Sequence, residues 1–261
     1  MHRFALALFV SLLGTACRLP GSAPEESVID LSYPFDADTV YWPTAEPFHL
    51  EAVFHGTTEA GFHYEANSFS AAEHGGTHLD APCHFAEGQL TVDAIPLDDL
   101  IGPGIVVDVT EACASDRDHR VTIAELEAWE HEYQQIPPGT IVLLRTGFGR
   151  FWPDRERYMG TAARGQEAVA DLHFPGLDGE AARWLVEERH IRAVGLDTAS
   201  IDCGQSRTFD AHRVLAAANV PILENVAQLD QLPPGGFFVM ALPMKIRGGS
   251  GGPVRIAALV R

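Results

Sequence analysis

Positive charge is what this chain has least of. Lysine and arginine total 18 against 36 aspartates and glutamates, a formal net charge of −18 over 261 residues. So acidic a surface repels phosphate, which excludes nucleic acid and anionic membrane surfaces as partners. Cysteine is also scarce. Cys17, Cys83, Cys113 and Cys203 are too few and too widely spread to form a disulfide framework. The apolar run near the N-terminus, Phe4 to Leu13, is too short to span a bilayer. Neither an internal repeat nor a long low-complexity linker divides the chain. The glycine-rich run Lys245 to Pro253 lacks the GxxxxGK[ST] pattern, so it is no phosphate-binding P-loop. What is left is a single α/β domain, with 46% hydrophobic residues to build one core.

The N-terminus reads as a removable leader. Arg3 supplies a positive start, Phe4 to Leu13 an apolar segment, and Gly14-Thr15-Ala16 small residues for cleavage. Residues 1–24 are thus expected to be a signal peptide, or a lipoprotein leader and tether, and the protein is expected to be exported (periplasmic or secreted). A lipidated Cys17 would be the one route to a membrane tether.

Residues 74 to 84 carry the chemistry. The stretch His74-Gly75-Gly76-Thr77-His78-Leu79-Asp80-Ala81-Pro82-Cys83-His84 packs three histidines and an aspartate into eleven residues. Imidazole nitrogen and carboxylate oxygen are the donors that zinc and similar divalent ions prefer. A helix is excluded by the two glycines and by Pro82. The expected shape is a glycine turn leading into an extended ribbon. Alternation along that ribbon would put His78, Asp80 and His84 on one face, with His74 brought back by the turn. Cys83 would then face away, as a small buried residue.

Short β-branched runs predict strands at Ile105 to Val109, Ile141 to Leu144, Ala193 to Asp197, Val220 to Leu223, Phe237 to Ala241 and Val254 to Leu259. Three helices are expected. Thr122 and Glu125 form a capping box opening one that runs to about Tyr133. Asp178 caps a second, to about Arg189. Asp210 caps a third, from Ala211 to Ala218, ended by Asn219. His212 lies in the first turn of that third helix, and Glu224 ends the strand after it. A carboxylate closing an apolar run needs a partner or a metal, because burying it bare is costly.

These motifs together resemble the HxGTHxDxPxH signature of the cyclase family, which includes bacterial kynurenine formamidase and isatin hydrolase. The likeness continues in His212, in Glu224-Asn225-Val226 and in Lys245 to Pro253. It implies a swivelling β/β/α fold over residues 25–261 and a metal-dependent amide hydrolase. By that resemblance His74, His78 and Asp80 bind a first metal; Asp80, His212 and Glu224 bind a second; and His84 is the general acid/base. It leaves open zinc or manganese, and one ion or two, and it implies a homo-oligomer. An aryl formamide such as N-formylkynurenine, giving kynurenine and formate, is the first expected substrate. A cyclic amide such as isatin is the alternative.

Trp42, Phe62 and Tyr64 lie upstream of the motif and are candidate aromatic walls for a flat substrate. A reading from another class is an exported metal- or ligand-binding protein without catalysis. His84 argues against it, since a buffering site needs no proton carrier.

Overall fold

A computed structural model describes residues 27–260. The leader and tether expected at 1–24 lie outside the described residues. Twelve strands occur in chain order: β1 Ser27–Asp30, β2 His49–Thr57, β3 His63–Ser70, β4 His78–Asp80, β5 Ile101–Asp108, β6 Arg120–Val121, β7 Ile141–Arg145, β8 Gly176–Leu177, β9 Ala193–Leu196, β10 Ile222–Glu224, β11 Phe237–Pro243 and β12 Gly251–Val260. The α-helices are α1 Leu97–Leu100, α2 Thr110–Ser115, α3 Ile123–Glu132, α4 Arg155–Met159, α5 Gly179–Glu187 and α6 Asp210–Ala217.

Seven strands close on themselves in the order β12-β11-β5-β7-β9-β10-β4, with β4 pairing back onto β12. The barrel is mixed. Its β5-β7-β9-β10 arc is parallel, and the other pairings are antiparallel. β1 extends β12 outside the closed ring. The predicted α/β class and its principal strands are present, in one mixed α/β domain built around this barrel.

Side-chain alternation sorts the barrel into two apolar sets. On β7, Ile141 and Leu143 join a core to which all seven barrel strands contribute, including Leu79, Leu223, Val239 and Ile256. Val142 and Leu144 join a second core, beneath the helices, with Leu126, Leu185 and Leu215. The same alternation acts on β4 and β10. Leu79 and Leu223 point to the first core, so His78, Asp80 and Glu224 point to the other face. Antiparallel register sets His78 directly opposite Glu224.

Two expectations are corrected. The ribbon does not stay extended to His84: the strand stops at Asp80, and Pro82–His84 is a 3-10 turn. Pro82 has its φ preset for the first position of a helical turn and no N–H to contribute, so it opens this turn. Asp210 does not cap α6 either. Phe209 holds the cap position at φ 51, and Asp210 accepts a hydrogen bond from Thr208 instead. The capping box at Thr122 and the Asp178 cap both form as expected.

The close approach of Gly75 to Tyr41 shapes the start of the motif. A Cβ on Gly75 would lie 2.1 Å from the buried Tyr41 ring. Gly75→Ala is therefore expected to destabilise the fold by roughly 1–3 kcal/mol through overpacking. Thermal unfolding reads this as a Tm loss of about 2–4 °C per kcal/mol. An unchanged Tm would contradict this packing.

Candidate metal centre

His78 and Asp80 leave β4 on one face, Glu224 leaves β10 beside them, and His212 comes from the first turn of α6. His74 arrives through the glycine turn, where Gly76 takes φ +57. Asp80 is the hub. Its Oδ1 lies 2.6 Å from His74 Nδ1 and 3.2 Å from His78 Nε2, and its Oδ2 lies 3.3 Å from His212 Nε2. Glu224 reaches His78 Nε2 at 3.4 Å and His212 Nε2 at 3.3 Å. The ligand atoms form two triads that share Asp80, His74–His78–Asp80 and Asp80–His212–Glu224, each spanning no more than 4.8 Å.

Each imidazole is also held from behind. His78 Nδ1 donates to the Gly76 carbonyl at 2.9 Å, His74 Nε2 meets Ser250 Oγ at 2.9 Å, and His212 Nδ1 meets Asp202 at 2.7 Å. Such outer partners orient the ring and select which nitrogen faces inward. Ser250 opens the stretch in which Gly251 pairs with Asp80, so the glycine-rich run packs against the site. Cys83 faces the Gly249 carbonyl, away from the cluster as expected, but it is only partly buried.

The electrostatics fit a cation. Asp80 and Glu224 are both buried, and among the described residues neither has an arginine or lysine partner. Burial alone would raise both carboxyl pKa values. Hydrogen bonds from the histidines outweigh that and hold both below the usual range. Burial likewise works against charge on His78, but hydrogen bonds to Asp80 and Glu224 lift it to about 10. His212 rises in the same way, through Asp202, Asp80 and Glu224. Paired histidines and buried carboxylates of this kind offer the nitrogen and oxygen donors, and the negative charge, that suit a divalent ion.

His84 behaves differently. Its ring stacks on His74 at 3.8 Å, and no described side chain hydrogen-bonds it. His84 is exposed at the cavity, and the part of its ring covered by His74 and Phe85 loses enough hydration to push its pKa down to about 4. It is a neutral imidazole with free nitrogens beside the cluster.

The cavity above the cluster holds about 280 Å³. Tyr41, Trp42, Phe85 and Phe209 supply aromatic walls, and His74, His84 and Glu224 line the polar end. Trp42 is where the sequence places it. Phe62 and Tyr64 are not brought there. Tyr64 lies on the β2–β3 hairpin and Phe62 just before β3, both at least half exposed, and Tyr64 packs against Phe54 on the same hairpin. The hairpin strands pair only with each other, so their side chains lie away from the cavity wall. Phe85, Phe209 and Asp202 were not singled out in the sequence; Phe85 directly follows the motif, and the other two are isolated residues with no motif around them.

A mixed barrel with two nitrogen-and-oxygen triads at the end of an aromatic cavity is an arrangement consistent with a metal site. Comparison with known proteins makes the class specific. The Cyclase family profile matches residues 29–203. Isatin hydrolase from Roseibium aggregatum is 32% identical over 196 residues, 72% of each chain. Kynurenine formamidase from Sphingopyxis alaskensis is 30% identical over 87% of this chain and 94% of its own. The structure of isatin hydrolase A from Ralstonia solanacearum superposes with a TM-score of 0.81 at 33% identity, covering 90% of this chain and 92% of that one. The chain belongs to the cyclase family of metal-dependent hydrolases.

Metal binding at this cluster must displace the protons that His78 and His212 hold above their ordinary pKa. Zinc titrated into the metal-free protein is therefore expected to release protons. Its affinity should fall as pH drops from about 8 to about 6. Calorimetry in buffers of different ionisation enthalpy reads both effects; pH-independent affinity with no proton release would contradict this account.

Proposed function

We propose that this protein is a metal-dependent amidohydrolase that opens the C–N bond of a flat aryl amide, with an isatin-type cyclic amide as its best substrate. His74, His78 and Asp80 would hold one ion, zinc or manganese, and Asp80, His212 and Glu224 a second. When bound, such an ion supplies Lewis acidity, which brings the pKa of a bound water to roughly 7 and polarises a carbonyl.

The chain's own residues supply the rest. Tyr41, Trp42, Phe85 and Phe209 sandwich a planar ring and exclude water around it. His84 takes a proton from the attacking water on its free imidazole nitrogen and returns it to the leaving nitrogen. Its neutral state and unpartnered ring support that role.

The observation that carries the choice of substrate is the cavity lining, which among the described residues includes no arginine or lysine. N-formylkynurenine bears an amino-acid carboxylate that a cation would be expected to pair with. Isatin bears no charge. The resemblance in sequence places the formamide first; the lining supports the cyclic amide ahead of it. The kynurenine formamidase relative keeps the linear amide as the second reading. A swivelling β/β/α description of the fold, export through residues 1–24 and a homo-oligomer belong to the same proposal. The exposed Leu50, Val53 and Phe69 of the hairpin support contact between copies.

Turnover of isatin and of N-formylkynurenine on one metal-loaded sample tests the reading. The higher kcat/KM is expected for isatin, and a higher value for the formamide would overturn the ring-opening assignment. His84→Ala is expected to keep its metal and lose roughly 10²–10⁴-fold in kcat. Loss of metal in that variant would move His84 into the ligand set.

A further inference from the structure

His212 is the one imidazole of the cluster whose outer nitrogen meets a carboxylate directly. Asp202 is buried in the loop before α6, at 5% exposure. Its Oδ2 lies 2.7 Å from His212 Nδ1 and accepts the His212 backbone N–H at 3.1 Å. Its Oδ1 accepts the Ala211 N–H at 3.2 Å and a bond from Ser206 Oγ at 3.5 Å. Among the described residues its only charged partner is His212. Both oxygens are thus committed to the first turn of α6 and to one ring. On the inner side, His212 Nε2 stands 3.3 Å from both Asp80 and Glu224. The outer partners of His78 and His74 are a backbone carbonyl and a serine hydroxyl.

Resting on the metal-site reading above, we propose that Asp202 is the positioning residue of the Asp80–His212–Glu224 triad. By accepting the Nδ1 proton of His212 it fixes the tautomer that turns the Nε2 lone pair toward Asp80 and Glu224. The helix cap and the ligand orientation are one interaction, because the same two oxygens hold the backbone and the ring. The rings of the His74–His78–Asp80 triad are oriented by their own outer partners, and that triad meets Asp202 only indirectly, through the shared Asp80.

Asp202→Asn is isosteric but replaces one acceptor oxygen with a donor, so it cannot keep every contact. Equilibrium dialysis against zinc alone, with folding followed by circular dichroism, reads the consequence. The variant is expected to bind one zinc ion roughly 10–100-fold more weakly than wild type and another with unchanged affinity. Unchanged affinity throughout overturns the proposal. Equal weakening of every ion also overturns it, since that marks a cap lost from the fold rather than a ring misdirected. A second measurement needs no variant: nitrogen-15 NMR of zinc-loaded wild type should find the His212 proton on Nδ1, and a proton on Nε2 overturns the assignment. Wild-type protein that takes up no zinc would instead sink the metal-site reading on which this one stands.

Discussion

Two carboxylates buried side by side, with no arginine or lysine partner among the described residues, govern this structure. Asp80 and Glu224 sit within reach of the same imidazoles, and burying such charges bare is expensive. The surrounding architecture keeps compensation at hand. Three histidines converge on the acids, each tied from behind so that one nitrogen faces inward. A site of this kind is stable when a cation or protons neutralise it, and its chemistry follows from which of the two is present.

The barrel positions the cluster by simple rules. A period of two sends Leu79 and Leu223 to one core and the polar residues beside them to the opposite face. Antiparallel register then brings His78 opposite Glu224 without any long loop. The remaining ligand comes from a helix start, where Asp202 accepts two otherwise unpaired N–H groups of the first turn. Asn225, at φ 53 directly after Glu224, bonds the Gly76 carbonyl at 2.7 Å and the Tyr158 hydroxyl at 2.9 Å. It ties the two ligand-bearing segments together at the point where the strand ends.

Much of this was legible in the sequence because the carriers are local. The histidines and aspartate of the glycine-led stretch lie within eleven residues, and β-branched runs mark most barrel strands. His212 and Glu224 could be paired because a helix, a turn and a strand link them. Barrel closure was not legible, since the pairing of β4 with β12 joins residues far apart in the chain. Asp202 was invisible for a related reason: it lies in a loop without periodicity, ten residues before its partner in α6. Phe62 and Tyr64 misled because aromatic character alone does not say which way a hairpin points. His84 reaches the cavity, though by a turn rather than an extended ribbon, because Pro82 changes the local backbone.

The most direct test of the central claim is elemental analysis of the folded, purified protein, paired with amide turnover before and after exhaustive chelation. The account predicts bound zinc or manganese, turnover lost when the ion is removed and turnover regained when it is returned. A metal-free protein whose turnover is unchanged by chelation would contradict it.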